Sequence, residues 1–381
     1  MTTSSSSPRV VVIGGGILGI STATQLAAAG AAVTLVTEST LNSGASGRSL
    51  SWLNSAGERS AEYHALRLAG IDRYRTLVAR TGGVDAAGRA FVRFDGGLTW
   101  ADPDTSYRER HLHEKSIGYD SRWLSPDDVA SWTPGVDATA INPEGAIFNP
   151  GEGWVDLPML GEHLLAAFRA AGGVVRDGVG RTTVHVEGGR ATGALTASGE
   201  TIPADRVVLA TGPWVPRALS ELGIEVGEQT PISLLVATKP VDVALTAVLN
   251  TPRVAVRPTP HGHLVLDSGW SEEEVVDNGD GTYTVHDSTV EGLLAEASRV
   301  LAGSPTLELA HYGVGPKPIP ADGDPLIGAI DEIEGLHAIF THSGATLALI
   351  VGELVADEIV TGQKSPLLTA FGAGRFAPVG R

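Results

Sequence analysis

The stretch VVVIGGGILGISTATQLAAAGAAVTLVTE, residues 10–38, decides the fold. Residues 9–13 are a short β-branched run bounded by Pro8 and Gly14, the pattern of a strand buried on both faces of a parallel sheet. Residues 14–30 turn and become helical, and 31–36 form a second strand that ends at Thr37-Glu38. Within the turn, Gly14-x-Gly16-x-x-Gly19 has a strand before it and a helix after it. The first glycine permits the tight turn, the second lets backbone approach a pyrophosphate, and the third lets helix and strand pack closely. The helix N-terminus offers unpaired N–H groups and a positive dipole end to phosphate. Glu38 stands 19 residues after Gly19, where a carboxylate accepts both ribose hydroxyls of an adenosine and repels a 2′-phosphate, which disfavours NADP. This motif alone does not separate a nicotinamide from a flavin dinucleotide.

Outward from this βαβ unit, helical spacing covers 61–81 and 159–171, the latter closed by Gly172-Gly173. Short strands are expected at 90–94, around Val174 and Val184, and at 206–209, followed by Ala210-Thr211-Gly212. Residues 230–267 alternate as antiparallel strands do, at 232–237, 254–257 and 263–267. DNGDGTY at 277–283 is a hairpin turn, and 290–301 is helical. The tail returns to strand 336–340, the turn His342-Ser343-Gly344 and helix 346–360. The expected class is α/β (α+β overall), with a discontinuous Rossmann-type FAD-binding domain (1–84, 145–218, 308–381). A second, mostly antiparallel β-sheet substrate domain covers 85–144 and 219–307.

With 381 residues, 42% hydrophobic and 19% charged, the chain is long enough for about two domains and reads as globular. The net charge of -17 argues against nucleic acid or an anionic membrane as partner. No cysteine is present, so disulfides, thiolate metal sites and a cysteinyl flavin link are excluded. No metal-ligand spacing stands out. The polar opening MTTSSSSPR lacks the apolar run of a signal peptide, and the apolar stretches fall short of a membrane span. A soluble cytoplasmic protein is expected.

Four segments, 10–38, VVLATGPW at 207–214, GPKPIPADGDPLIG at 315–328 and GLHAIFTHSGATLALIVGELVADEI at 335–359, resemble the D-amino-acid oxidase-like family of FAD-dependent oxidoreductases, which includes glycine and sarcosine oxidases. The resemblance spans nearly the whole chain. It implies FAD as cofactor, with Gly14, Gly16, Ile17 and Leu18 at the pyrophosphate and Glu38, with Ser39 beside it, at the ribose. It implies Ser46, Gly47, Arg48 and Ser49 along the isoalloxazine ring. Thr211, Gly212 and Trp214 would lie near the ADP part, and the backbone of Arg181 at adenine, where the family has an apolar residue. Gly344, Ala345, Thr346 and Leu347 open the closing helix. Its dipole would stabilise the negative charge that reduced flavin carries near N1 and the C2 oxygen.

On the substrate side, the family carries Arg-Pro five residues before its DG-x-P-x-IG sequence, and this chain has Lys317-Pro318 before Asp322. A lysine supplies charge without a bidentate fork. Lys317 is thus either a carboxylate anchor and catalytic group or a surface lysine. His342 either serves catalysis, by orienting substrate, accepting a proton or linking to the ring, or is a hydrogen-bonded structural group. Arg257, His311, Tyr312 and His261 lie in segments that should border the substrate cavity, with Arg257 either a reserve anion anchor or an outward-facing edge residue.

The expected reaction is hydride transfer from the α C–H of a small amine or amino acid to flavin N5. It gives an imine that water hydrolyses, with oxygen (yielding peroxide) or a separate acceptor restoring the flavin. A dehydrogenase or monooxygenase with another acceptor, a non-catalytic FAD-binding component of a larger complex, and a nicotinamide-dependent dehydrogenase are the rival readings.

Overall fold

The computed structural model describes residues 7–376. Residues 1–6, on which the expected lack of a leader rests, and 377–381 lie outside the described part. The chain is mixed α/β and is organised by two large sheets. In the six-stranded sheet the order is Leu326–Ala329, Leu336–Phe340, Arg206–Leu209, Arg9–Ile13, Ala32–Val36, Val174–Arg176. All neighbours are parallel except Leu326–Ala329, which runs antiparallel at one edge. Arg9–Ile13 is central because Val10 to Ile13 are apolar on both faces and wholly buried.

The helix Ile17–Ala28 packs against the closing helix Gly344–Thr361 and against Leu157–Ala170. Small residues allow this approach, since a Cβ at Gly352 would run into Ser21. Ile20, Leu26, Leu347, Val351 and Val355 are buried at this junction, and burying a side chain of that size contributes about 1.5–3 kcal/mol. The helix Ala61–Thr81 buries Tyr63, Leu66, Arg67, Gly70, Ile71 and Tyr74, a helical stripe facing the closing helix. Ser60 caps its start by accepting from Tyr63 N–H at 3.2 Å, and Gly82 ends it in a left-handed turn at φ 77°.

The second sheet has eight strands, in the order Leu309–Pro316, Ile232–Thr238, Leu264–Asp267, Ala255–Pro258, Val248–Asn250, Gly97–Thr99, Ala146–Asn149, Arg122–Leu124. It is antiparallel apart from the pair Val248–Asn250 and Gly97–Thr99. The sheet extends past the expected boundaries at 145 and 308. Ala146–Asn149 pairs with Gly97–Thr99 and Arg122–Leu124, and Leu309–Pro316 pairs along Ile232–Thr238. Both joins link distant segments, so local pattern could not place them. The DNGDG turn closes a hairpin between Val276–Asp277 and Tyr283–Thr284. Among the described residues, no helix is long and apolar enough to cross a membrane.

Candidate functional site

A cavity of about 890 Å³ takes its walls from both sheets. One end is built from backbone. Gly14 sits at φ 128°, where a side chain is strained, and a Cβ there would overlap the Ala210 carbonyl. A Cβ on Gly19 would overlap the Gly14 carbonyl, so the third glycine is what lets helix and strand meet. The helix Ile17–Ala28 has no side-chain cap at Gly16. Ile17 N–H donates to Ser46 Oγ at 2.9 Å, and Gly16, Ile17 and Leu18 face the cavity. Glu38 and Ser39 line the next stretch with Glu38 exposed, and Thr211, Gly212 and Trp214 lie along the wall. Arg181 is on this wall too, its guanidinium paired with Glu221, which also holds Arg217 at 3.4 Å.

Ser46, Arg48 and Ser49 continue the wall. Arg48 runs past Gly313 and Gly315, where side chains would collide with it. Burial holds the Arg48 guanidinium below its usual range. Arg48 Nε and Thr211 Oγ1 are buried polar atoms without a hydrogen-bond partner among the described residues, the condition expected of groups whose partner is a ligand. With the glycine turn and the uncapped helix, they fit FAD. Gly47 does not line the cavity and instead closes the turn against the Asn42 carbonyl.

Further along, the closing helix presents its N-terminus. Ser343 gives it no side-chain cap, and Gly344, Ala345 and Thr346 line the cavity. Ser343 Oγ is instead held by Tyr63 Oη and Arg67 Nη1, and Tyr74 Oη donates to the Ala345 carbonyl at 2.6 Å. The turn is thereby fixed from the helix Ala61–Thr81, with the positive helix end toward the cavity. Leu347, expected with these residues, points into the core and is fully buried. The helical repeat turns it away from the cavity.

The far end is built from side chains. Lys317 lies on the wall, as expected, but its Nζ is 2.6 Å from the Glu272 carboxylate, so its charge is already matched. Asp267, at the end of Leu264–Asp267, is next to this pair and faces the cavity. Burial raises its carboxyl to about 7 against the opposing pull of Lys317. Burial also raises Glu272, opposed by its bond to Lys317.

His342 lines the cavity, with its side chain exposed. Desolvation, then the charges of Lys317, Arg67 and Arg59, push it down to about 4, so the ring is neutral at pH 7. Arg59 and Arg67 line the wall as well. Arg67 donates from Nε to the Asn54 carbonyl at 2.8 Å and from Nη2 to Asn54 Oδ1 at 2.9 Å. Their guanidinium carbons lie 5.7 and 5.5 Å from the Tyr63 ring centre. Among the described residues neither has a carboxylate within ion-pair distance. Burial first, then Arg67, lower Arg59 to about 10, still charged at neutral pH.

The remaining expected substrate residues are elsewhere. Arg257 does not line the cavity, and it is neither an anchor there nor an exposed edge residue. It is buried inside the eight-stranded sheet, 5.4 Å from the Trp154 ring centre, and donates to the Pro258 carbonyl at 3.2 Å. His311 and Tyr312 lie on the outer strand Leu309–Pro316 with exposed side chains off the cavity. His261 lies on an exposed turn beside Arg89. The strand of His311 and Tyr312 reaches the cavity only at Pro316, and the segments carrying Arg257 and His261 do not line it. Arg59, Arg67, Asn54, Trp52 and Asp267 escaped the sequence reading. Only Arg67, a charge on the apolar stripe of an amphipathic helix, carried a signal that could have found it.

The FAD dependent oxidoreductase family model matches residues 9–358. The glycine oxidase of Pseudomonas aeruginosa is 27% identical, covering 98% of this chain and all of that protein. The D-amino acid dehydrogenase of Methylobacterium sp. is 27% identical, covering 93% of this chain and 96% of that protein. The solved glycine oxidase from Geobacillus kaustophilus has the same fold, with a TM-score of 0.81 at 22% identity over 98% of this chain and all of that one. A family match over almost the whole described length, joined to a glycine turn, an uncapped helix and unpartnered wall atoms that fit the dinucleotide, makes this chain a member of the FAD dependent oxidoreductase family, with FAD as its cofactor.

Proposed function

We propose that this protein oxidises the C–N bond of a small amine or amino acid, the substrate giving up a hydride and then water hydrolysing the imine. The carrying observation is one continuous cavity that leads from the dinucleotide cradle past an uncapped helix end into a chamber of charged side chains. That chamber holds opposite charges on its walls, as a zwitterion or an amine needs. The resemblance to glycine oxidases supports the same substrate class.

FAD, when bound, supplies the two-electron acceptor. Gly14, Gly16, Ile17, Leu18, Glu38, Ser39, Ser46, Arg48, Ser49, Arg181, Thr211, Gly212, Trp214, Gly344, Ala345 and Thr346 are the residues we assign to holding it. The N-terminus of the closing helix favours negative charge gathering beside Gly344 and Ala345. A substrate carboxylate is assigned to Arg59 and Arg67, whose charges are unmatched, rather than to Lys317, whose charge Glu272 takes up. His342 orients substrate as a neutral hydrogen-bonding ring. Oxygen or a separate acceptor takes the electrons onward. The acidic chain acts in the cytoplasm on small molecules, without nucleic acid or membrane as partner.

The test is anaerobic. The FAD-loaded protein is mixed with a panel of small amines and D- and L-amino acids, and bleaching of the flavin bands is recorded. Bleaching by at least one such compound is expected. Reduction by alcohols or NADH with none by any amine would overturn the reading. Peroxide yield under air then separates an oxidase from a dehydrogenase.

A further inference from the structure

The reaction proposed above sets a condition that none of the residues so far assigned to it meets. A C–H next to nitrogen leaves as hydride only when the nitrogen lone pair is free to form the C=N bond. Amino acids and most amines carry an ammonium group near pH 7, so one proton must leave nitrogen first. The chamber holds few groups able to receive it. Arg59, Arg67 and Lys317 are cations. Glu272 is committed to Lys317 at 2.6 Å. His342 is a weak base among three cations. Trp52 carries only a donor, and its Nε1–H is already given to Glu152 at 2.8 Å.

Asp267 differs from all of these. It ends the strand Leu264–Asp267 and lines the cavity wall. Among the described residues its carboxylate accepts no hydrogen bond from any side chain or backbone N–H, although Lys317 and Glu272 are next to it. Lys317 is instead paired with Glu272, from the short helix Gly269–Glu273. The charged groups that face Asp267 are therefore Lys317, from the segment after Leu309–Pro316, and Glu272. The cations Arg59 and Arg67 share the cavity with it, so a zwitterion has a place for each of its ends.

We propose that Asp267 is the proton acceptor of the reaction: it binds the substrate's ammonium group and takes one N–H proton, leaving the neutral amine from which hydride departs. The proposal rests on the C–N oxidation put forward above. The balance is simple. An N–H bond breaks and an O–H bond forms on Asp267. The substrate then loses hydride, two electrons and one hydrogen nucleus, to FAD. The proton on Asp267 returns to water when the imine leaves. The carboxyl is suited to both steps because burial raises it to about 7, near neutral pH. Lys317 and Glu272 are positioning residues that set how readily Asp267 keeps its proton.

The experiment compares FAD-loaded wild type with Asp267→Asn and Asp267→Glu by anaerobic stopped-flow reduction with the best substrate from the panel, from pH 6 to pH 10. In wild type, the rate at low substrate should rise through an ionisation near 7. Asp267→Asn should lose that ionisation and react at least about tenfold more slowly at pH 7. It should approach wild type at pH 10, where solution supplies neutral amine. Asp267→Glu should retain a shifted ionisation and part of the rate.

A second readout needs no turnover: titration with acetate, followed by the flavin spectrum. Asp267→Asn should leave acetate affinity unchanged or tighter, which also reports an intact cavity. An Asp267→Asn profile parallel to wild type at every pH would overturn the proposal, as would a loss that persists at pH 10 with acetate binding intact. If the wild-type flavin is bleached by no amine at all, the C–N reading falls and takes this one with it. If wild type is bleached and the Asn variant behaves identically, only the proton acceptor is wrong.

Discussion

The two ends of the cavity are made of different material. At the nucleotide end the protein presents backbone: a glycine turn, a helix start and a carbonyl-lined strand end, all within residues 13–18 and 210–212. At the substrate end it presents side chains brought together from residues 59, 67, 267, 272, 317 and 342, whose meaning depends on which of them pair. The first end tolerates little because shape is its chemistry. The second can be retuned one charge at a time. Within a family that shares a cofactor, this division lets specificity change while the dinucleotide site stays fixed.

Breaking the first end should have the largest effect. Gly14→Val puts a side chain into the Ala210 carbonyl at a φ of 128°. The strain alone is about 1–3 kcal/mol before the collision is counted. The purified variant should be nearly colourless, with FAD affinity reduced by more than about a hundredfold in a fluorescence titration. A yellow variant of normal affinity would mean that the turn is not the cradle. At the other end, Arg59→Met should raise KM for an amino acid by about 10- to 100-fold, the equivalent of about 1.5–3 kcal/mol for a charged hydrogen bond. The corresponding amine without a carboxylate should be hardly affected. If both substrates suffer equally, Arg59 is not reading the carboxylate.

Lys317→Met sharpens the contrast by an expected absence. Its KM effect on an amino acid should stay within about threefold, since its charge is spent on Glu272. The variant should melt at a lower temperature because Glu272 is left desolvated and alone. Adding Glu272→Gln should recover most of that loss. The smallest effect concerns the support of the wall. Glu152 is fully buried, accepts from Trp52 Nε1 at 2.8 Å and Tyr119 Oη at 2.7 Å, and burial raises it to about 8. The folded pKa is above the unfolded one. The folded state therefore binds more protons, and the stability from Glu152 is full below about 4.5 and lost as pH rises through about 8. Tm should fall between pH 5 and pH 9 in wild type and less so in Glu152→Gln.

The same division explains what could be read from the sequence. The βαβ unit, the closing helix and the antiparallel strands were legible because each is written in neighbouring residues. Arg9–Ile13 and Leu336–Phe340 fall where the pattern puts them. Lys317 was legible as a cavity residue, but not as a neutralised one, because Glu272 is 45 positions away. Arg257 is on an expected strand, but alternation could not settle its face, since the eight-stranded sheet is covered on both sides along Ala255–Pro258. His311 lies on an edge strand whose pairing with Ile232–Thr238 spans a long stretch of chain. Asp267 looked like the polar end of a strand. Burial in the cavity wall, with Lys317 and Glu272 brought beside it, makes it chemically distinct.

The strand Leu336–Phe340 lies inside the six-stranded sheet, between Leu326–Ala329 and Arg206–Leu209, and leads directly into the residues 341–346 of the cavity wall. A ribosome must therefore reach residue 346 before the last wall exists. A nascent chain cut short before this strand has the glycine turn but lacks the cavity wall at residues 341–346.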